Sequence, residues 1–254
     1  MMKVLRDTGI LFGRSMRHII RSSETIMEVV VMPIITMLIF VYVFGGAIQI
    51  GGGNYVNYML PGILCIAIVN GIVYTSLRLF NDREKGILTR FQSMSVSYTS
   101  ILWAHVLPSL VSNGISVIIV IFAGIIIGFR STAGILEWLM IMVILGIFIL
   151  ALSWLAIIPG LIAKTTDGVF AFAYPLILLP FISSAFVPTE TMPTVVRVFA
   201  ENQPITFVVD AIRSLLNSNP SENNILLALT WCTCIMILAY ILAIITYKHQ
   251  IDSA

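Results

Sequence analysis

The sequence predicts an all-α integral membrane protein with six transmembrane helices, an N-terminal amphipathic interfacial helix, and a further helix, too short to cross, before the last span. Three observations predict it. The 254-residue chain is 59% hydrophobic and only 10% charged, with a mean hydropathy of +1.02, so lipid is the solvent for most of it. Its apolar residues gather into runs of the roughly 20 residues that cross a hydrocarbon core. Its Lys and Arg residues rise and fall in density from one connection to the next. Backbone in lipid must satisfy itself, which makes the runs helices. Strands of a barrel would alternate over about ten residues, and these runs do not.

The first element is residues 1–23. At about 100° per residue, Lys3, Arg6, Arg14, Arg17 and Arg21 fall within a stripe about 80° wide. Val4, Leu5, Leu11, Phe12, Met16, Ile19 and Ile20 lie opposite, with Ile10 as the exception. Such a helix rests on the membrane surface, its basic side toward headgroups or a cytoplasmic partner. It does not read as a signal peptide, because charge continues to Glu28 and no short apolar core opens the chain.

Six spans follow, at about 26–44, 60–80, 101–129, 135–163, 168–187 and 225–247. Summed over alternate connections, the Lys and Arg residues number eleven on one side and three on the other. Both termini and the 81–97 connection therefore face the cytoplasm. Cys65, Cys232 and Cys234 all lie in apolar runs. Cys232 and Cys234 point about 200° apart on a helix, so they read as packing residues rather than a metal pair.

The 81–97 connection, NDREKGILTRFQSMSVS, places five charges between Asp82 and Arg90. Basic residues alone would fix the topology. After Gly86, however, Ile87, Leu88 and Phe91 share one face of a short helix, and Ser95 and Ser97 are placed to cap the third span. A small amphipathic helix projecting from a membrane protein has an apolar face to cover, and another protein is the natural cover.

This stretch resembles the first cytoplasmic loop of ABC-2-type transporter permeases. The similarity runs through Arg83-Glu84-Lys85-Gly86, Leu88-Thr89-Arg90-Phe91 and Met94-Ser95-Val96-Ser97, with Ser95 where proline is common. A second block, 160–216, resembles the family's late region. It carries Ser183 or Ser184, Phe186 and Pro188, then Met192-Pro193, Asn202-Gln203-Pro204 and Asp210 to Arg213, with Gln203 interrupting the usual Asn-Pro. The likeness covers nearly the whole chain as one transmembrane domain, 1–254, and is nearest the drug-exporting branch, of the daunorubicin-exporter kind.

The resemblance implies that 81–97 is the coupling loop. Arg83, Glu84, Lys85, Gly86, Leu88, Arg90, Phe91 and Met94 would then meet a separate ATP-binding subunit. It also implies that 188–222 is an extracellular re-entrant region. There Ile205, Val208, Val209, Ile212, Leu215 and Leu216 recur at helical spacing opposite Asp210 and Arg213. Pro175 and Pro180 are expected to bend or break the fifth span.

The expected role is the permease subunit of an ATP-driven exporter in the plasma membrane, moving an amphipathic or hydrophobic drug. Export of a lipid-linked cell-wall polymer or lipid is the alternative. A phosphate-binding loop needs G-x-x-x-x-G-K-[ST]. The nearest match, Ile158–Thr165 (IPGLIAKT), has Ile158 and Ala163 at the glycine positions. ATP and magnesium are therefore expected on a partner ATPase, present in two copies with two identical permeases. No catalytic, metal or nucleic-acid site is expected. His18, His105 and His249 are scattered, which speaks against a membrane-embedded enzyme. There is no chain of intramembrane charge for a proton-driven carrier and no repeated filter for a channel. Met27, Tyr42, Asn70, Tyr74, Phe170 and Tyr174 are candidates for the substrate path by location alone.

Overall fold

A computed structural model describes residues 2–45, 55–93 and 98–252, which are helical throughout their regular parts, with no strand among the described residues. α1 (Met2–Arg21) ends one residue before Ser22, whose hydroxyl accepts from the Thr25 amide at 3.3 Å and so starts the next helix. That helical run comprises α2 (Ser23–Ile26), a π segment Met27–Val31, α3 (Met32–Ile39) and a second π segment Phe40–Phe44. The long elements are α4 (Tyr55–Glu84), α6 (Tyr98–Ile127), α7 (Ile135–Ile162) and α11 (Glu222–Asp252). Between them lie α5 (Ile87–Ser93), α8 (Thr166–Leu178), α9 (Thr194–Asn202) and α10 (Pro204–Leu216).

α4, α6, α7 and α11 are long and apolar enough to cross a membrane. The first and fifth expected spans are shorter apolar helices, Met27–Val43 and Thr166–Ile182. The fifth is broken at one of its two prolines. Pro175 is accommodated inside α8, whereas Pro180 stands in a 3-10 turn, Leu179–Ile182, after which the backbone at Ser183 is extended. Pro61, Pro108 and Pro159 likewise lie within α4, α6 and α7.

α4 is the central element, packed on α6, α7 and α8, while α7 also packs on α11. Lipid tails supply no hydrophobic drive between helices, so close approach at small residues matters. A Cβ on Gly62 would stand 2.6 Å from the Ala185 Cβ, and one on Gly160 would stand 2.8 Å from the Ser76 carbonyl oxygen.

α1 does not lie apart from the bundle. It packs on α6, with Leu11 and Ile19 buried and Arg14 and Arg17 exposed, as the stripe predicts. Ile10, the exception in the pattern, is 65% exposed. The side chains of Lys3, Arg6 and Arg21 fall outside the described residues.

Candidate coupling helix, outer anchor and buried polar seam

α4 ends where Gly86 takes φ +67°, a left-handed position closed by its amide on the Arg83 carbonyl at 2.9 Å. The Gly86 carbonyl in turn accepts from the Arg90 amide at 3.2 Å. One glycine thus ends α4 and opens α5, and it sets the angle between them.

The expected coupling residues divide into two sets. Glu84, Lys85 and Arg90 are exposed. Leu88 is buried, in a cluster with Leu11 of α1, Leu79 of α4, Ile101 and Leu102 of α6, and Trp154 of α7; Phe91 packs against the same cluster. The guanidinium of Arg14 lies 5.3 Å from the Phe91 ring centroid. The apolar face of α5 is therefore covered by its own chain, a correction to the expectation that another protein covers it. The cover was invisible in the sequence because it comes from α1, 77 positions upstream of Leu88. What α5 offers outward is polar and charged.

Arg83 also turns inward. It donates to the carbonyls of Leu161 and Ala163, lies 5.3 Å from the Phe80 ring centroid, and pairs with Glu84 at 3.2 Å. It satisfies the C-terminal end of α7, joined there by Gln250 of α11, which donates to Leu161. Met94, with Ser95 and Ser97, lies outside the described residues.

At the other end of the bundle, α10 is fastened by Arg213. Its Nη1 donates to Asp210 Oδ1 at 2.7 Å and its Nη2 to the Ser184 carbonyl at 2.7 Å. The Ser184 hydroxyl donates to the same Asp210 oxygen at 2.7 Å, and the Tyr58 hydroxyl to the Ser184 carbonyl at 3.0 Å. Gln203, which reads as an interruption in the sequence, is buried here. Its Nε2 donates to the carbonyls of Leu179 and Ile182 at 3.2 and 2.6 Å, the groups exposed where the helix breaks. α9 is more exposed. Its Arg197 donates to Glu201 at 2.7 Å, and that hydrogen bond holds the Glu201 carboxyl below the usual carboxylate range. The α6–α7 loop ties to the same end: Asn57 exchanges hydrogen bonds with the backbone of Arg130, and Ser131 donates to the Leu216 carbonyl at 2.9 Å.

A third feature is new. Ser109, Ser112, Asn113 and Ser116 of α6 are all buried. Ser109 accepts at its hydroxyl from Thr75 at 2.8 Å and from Ser153 at 2.9 Å, and Arg78 donates to Thr75 at 3.0 Å. His105 stands 3.7 Å from Asp82 at one end of this seam. The signal was available: Ser109, Ser112, Asn113 and Ser116 sit at i, i+3, i+4 and i+7, one helix face. Interhelical hydrogen bonds of this kind are worth about 0.6 kcal/mol each in lipid.

The six path candidates do not converge on one site. Met27, Tyr42 and Tyr174 are exposed, while Asn70, Tyr74 and Phe170 are half-buried. Phe170 and Tyr174 stack at 6.3 Å, and Tyr74 hydrogen-bonds Glu28 of the first π segment. At the far end of that run, Phe40 stacks on Phe186 at 4.1 Å.

A family model described as "ABC-2 type transporter" matches residues 6–217. Among curated relatives, the daunorubicin resistance ABC transporter permease protein DrrB1 of Streptomyces coeruleorubidus is 30% identical over 196 residues, 76% of this chain and 68% of its own length. The probable doxorubicin resistance ABC transporter permease protein DrrC of Mycobacterium tuberculosis (strain H37Rv) is 24% identical over 233 residues, covering 90% of this chain and 83% of its own. A putative transport permease, ycf38, of Cyanophora paradoxa is 25% identical over 216 residues, 83% of this chain and 74% of its own.

Proposed function

Because the chain belongs to the ABC-2 type transporter family, we propose that it is the permease of an ATP-driven exporter that carries an amphipathic or hydrophobic drug-like molecule out of the cell. In this reading it crosses the plasma membrane six times with both termini in the cytoplasm. Two identical copies enclose the path and pair with two copies of a separate ATP-binding subunit, which holds the ATP and magnesium.

The observation that carries this reading is the construction of α5. Arg90 on α5 and Lys85 in the turn before it are exposed, where a partner would reach them. The inward residues of α5, Leu88 and Phe91, are embedded where α1, α4, α6 and α7 meet. Force applied to α5 therefore reaches several helices at once rather than being lost in a loose loop. Arg83 strengthens the joint by holding the end of α7 to the end of α4. At the opposite end, α9 and α10 close over the bundle without crossing it, as a cap to the path.

The names of the relatives suggest the first cargo to try. The chain, co-expressed with a candidate ATP-binding subunit and reconstituted in liposomes, is expected to show ATP hydrolysis that rises with doxorubicin and to accumulate the drug in inside-out vesicles. Hydrolysis indifferent to doxorubicin and to other lipophilic drugs, with no vesicle uptake, would refute the proposal.

A further inference from the structure

Arg83 belongs to two corners of the chain at once. Its carbonyl accepts from the Gly86 amide at 2.9 Å and closes the turn that leads into α5. Its guanidinium donates to the carbonyls of Leu161 and Ala163, where α7 ends and the chain turns toward α8. That second corner is extended backbone, with ψ of 139° at Ala163 and 159° at Thr165. Beneath the guanidinium lies Phe80, which packs with Ala163 and with Val169 near the start of α8. The larger cluster around Leu88 and Phe91 draws on α1, α4, α6, α7 and α11 but, among the described residues, on none of α8. Beyond its packing on α4, α8 is therefore tied to the α5 end of the bundle by Arg83 and this small cluster.

We propose that Arg83 is a positioning residue of the transport cycle: it makes α8 follow α5 when the ATP-binding subunit moves α5. The proposal rests on the export reading and names the side chain that carries the motion to the fifth helix. α8 is built to respond. It packs mainly on α4. An apolar cavity of about 350 Å³, lined by Leu155 of α7 and by Val169, Phe172 and Leu176 of α8, separates it from α7 along part of its length. The backbone is extended again at Ser183, past Pro180. A helix with extended corners at both ends and one main packing neighbour can turn as a unit about those corners. Arginine suits the task. Its planar fork serves two carbonyls together, where lysine offers one point charge. A cation is also favoured at the C-terminal end of α7, where helix carbonyls lack amide partners.

The test uses the full chain assembled with its co-expressed ATP-binding subunit in phospholipid nanodiscs. Hydrogen–deuterium exchange is compared between the nucleotide-free complex and the complex trapped with ATP and vanadate. In the native complex, trapping should change exchange about twofold or more both at residues 84–91 and at residues 163–170. In Arg83→Gln the change at 84–91 should persist while that at 163–170 is lost, and Arg83→Lys, which can still reach one carbonyl, should keep part of it. A residue that only stabilised the fold would raise exchange in both states and leave the difference between them intact. A native complex that responds at 84–91 but not at 163–170 overturns the inference and leaves the export reading standing, as does an undiminished 163–170 response in Arg83→Gln. A native complex that responds at neither segment, with hydrolysis indifferent to doxorubicin, overturns the export reading and the inference with it. Should Arg83→Gln fail to assemble, the native comparison and Arg83→Lys decide the matter.

Discussion

The guanidinium of Arg213 stands over the ring of Tyr58, with Cζ 3.9 Å from the ring centroid, and donates to the Tyr58 carbonyl at 3.2 and 3.3 Å. One side chain thus joins α10 to α4 by a stacked contact and hydrogen bonds together, while Asp210 and Ser184 take its remaining donors. Only a planar fork with several fixed donors serves all of these partners, so Lys does not substitute.

Arg213→Ala is expected to lower stability by about 2–3 kcal/mol, because it removes the charged donor from Asp210 and from the Tyr58 and Ser184 carbonyls together, leaving only the Ser184 and Tyr58 hydroxyls in part of their place. Asp210→Asn should cost less than half of that, since Arg213 keeps the carbonyls and the ring. Thermal unfolding of the purified variants in detergent measures both. Equal losses would mean that the ion pair, rather than the carbonyl grip, holds α10.

α5 gives a second expectation. Leu88→Asp puts a charge into the cluster shared by α1, α4, α6 and α7 and should reduce folded yield sharply. The double variant Lys85→Glu, Arg90→Glu changes only exposed groups. It should fold normally, with a melting temperature close to that of the native chain, yet lose at least tenfold of the cargo-stimulated ATP hydrolysis of the assembled exporter. Undiminished stimulation in that variant would remove α5 from the coupling role.

The division of α5 shows where sequence reading stops. Periodicity identified its apolar face, because Ile87, Leu88 and Phe91 are neighbours in the chain. It did not show what covers that face, because Leu11 is distant in sequence and its meeting with Leu88 depends on how α1 returns across α6. The basic stripe of α1 was legible for the same local reason, and so was the outer Asp210–Arg213 pair, three residues apart on one helix. Gln203 read only as a departure from Asn-Pro, because its partners, the carbonyls of Leu179 and Ile182, lie 24 and 21 residues away at the break near Pro180. The seam through Ser109 and Asn113 was legible and passed over, since hydroxyl and amide groups raise no alarm in a count of charges.

Close helix contact supplies a third prediction. Gly160 faces the Ser76 carbonyl and Leu79, whereas no heavy atom lies within 4 Å of where a Cβ on Gly146 would stand in the same helix. Gly160→Ala must push α7 from α4 and is expected to destabilise by about 1–3 kcal/mol. Gly146→Ala meets nothing within the chain and should be neutral or stabilising by up to about 1 kcal/mol through helix propensity. The pair shares host helix and chemistry, so the difference in their melting temperatures isolates the contact. No difference would show that α4 and α7 do not approach as closely as the Gly160 geometry requires.

The short fifth helix decides the topology. Thr166–Ile182 spans roughly 25 Å at 1.5 Å per residue, less than the roughly 30 Å of a hydrocarbon core. If the helix crosses, the turn after Ser183, with carbonyls capped by Gln203 and Arg213, has to cover the remaining distance within protein rather than lipid. If this helix crosses, Lys164 and Glu190 lie on opposite sides. In a cysteine-free background on intact cells, Glu190→Cys and Asn219→Cys should react with a membrane-impermeant maleimide. Lys164→Cys and Lys85→Cys should react only after permeabilisation. Reaction of Lys164→Cys and Glu190→Cys from the same side would turn the fifth helix into a hairpin, reduce the number of crossings, and place α9 and α10 on the face now assigned to the ATPase.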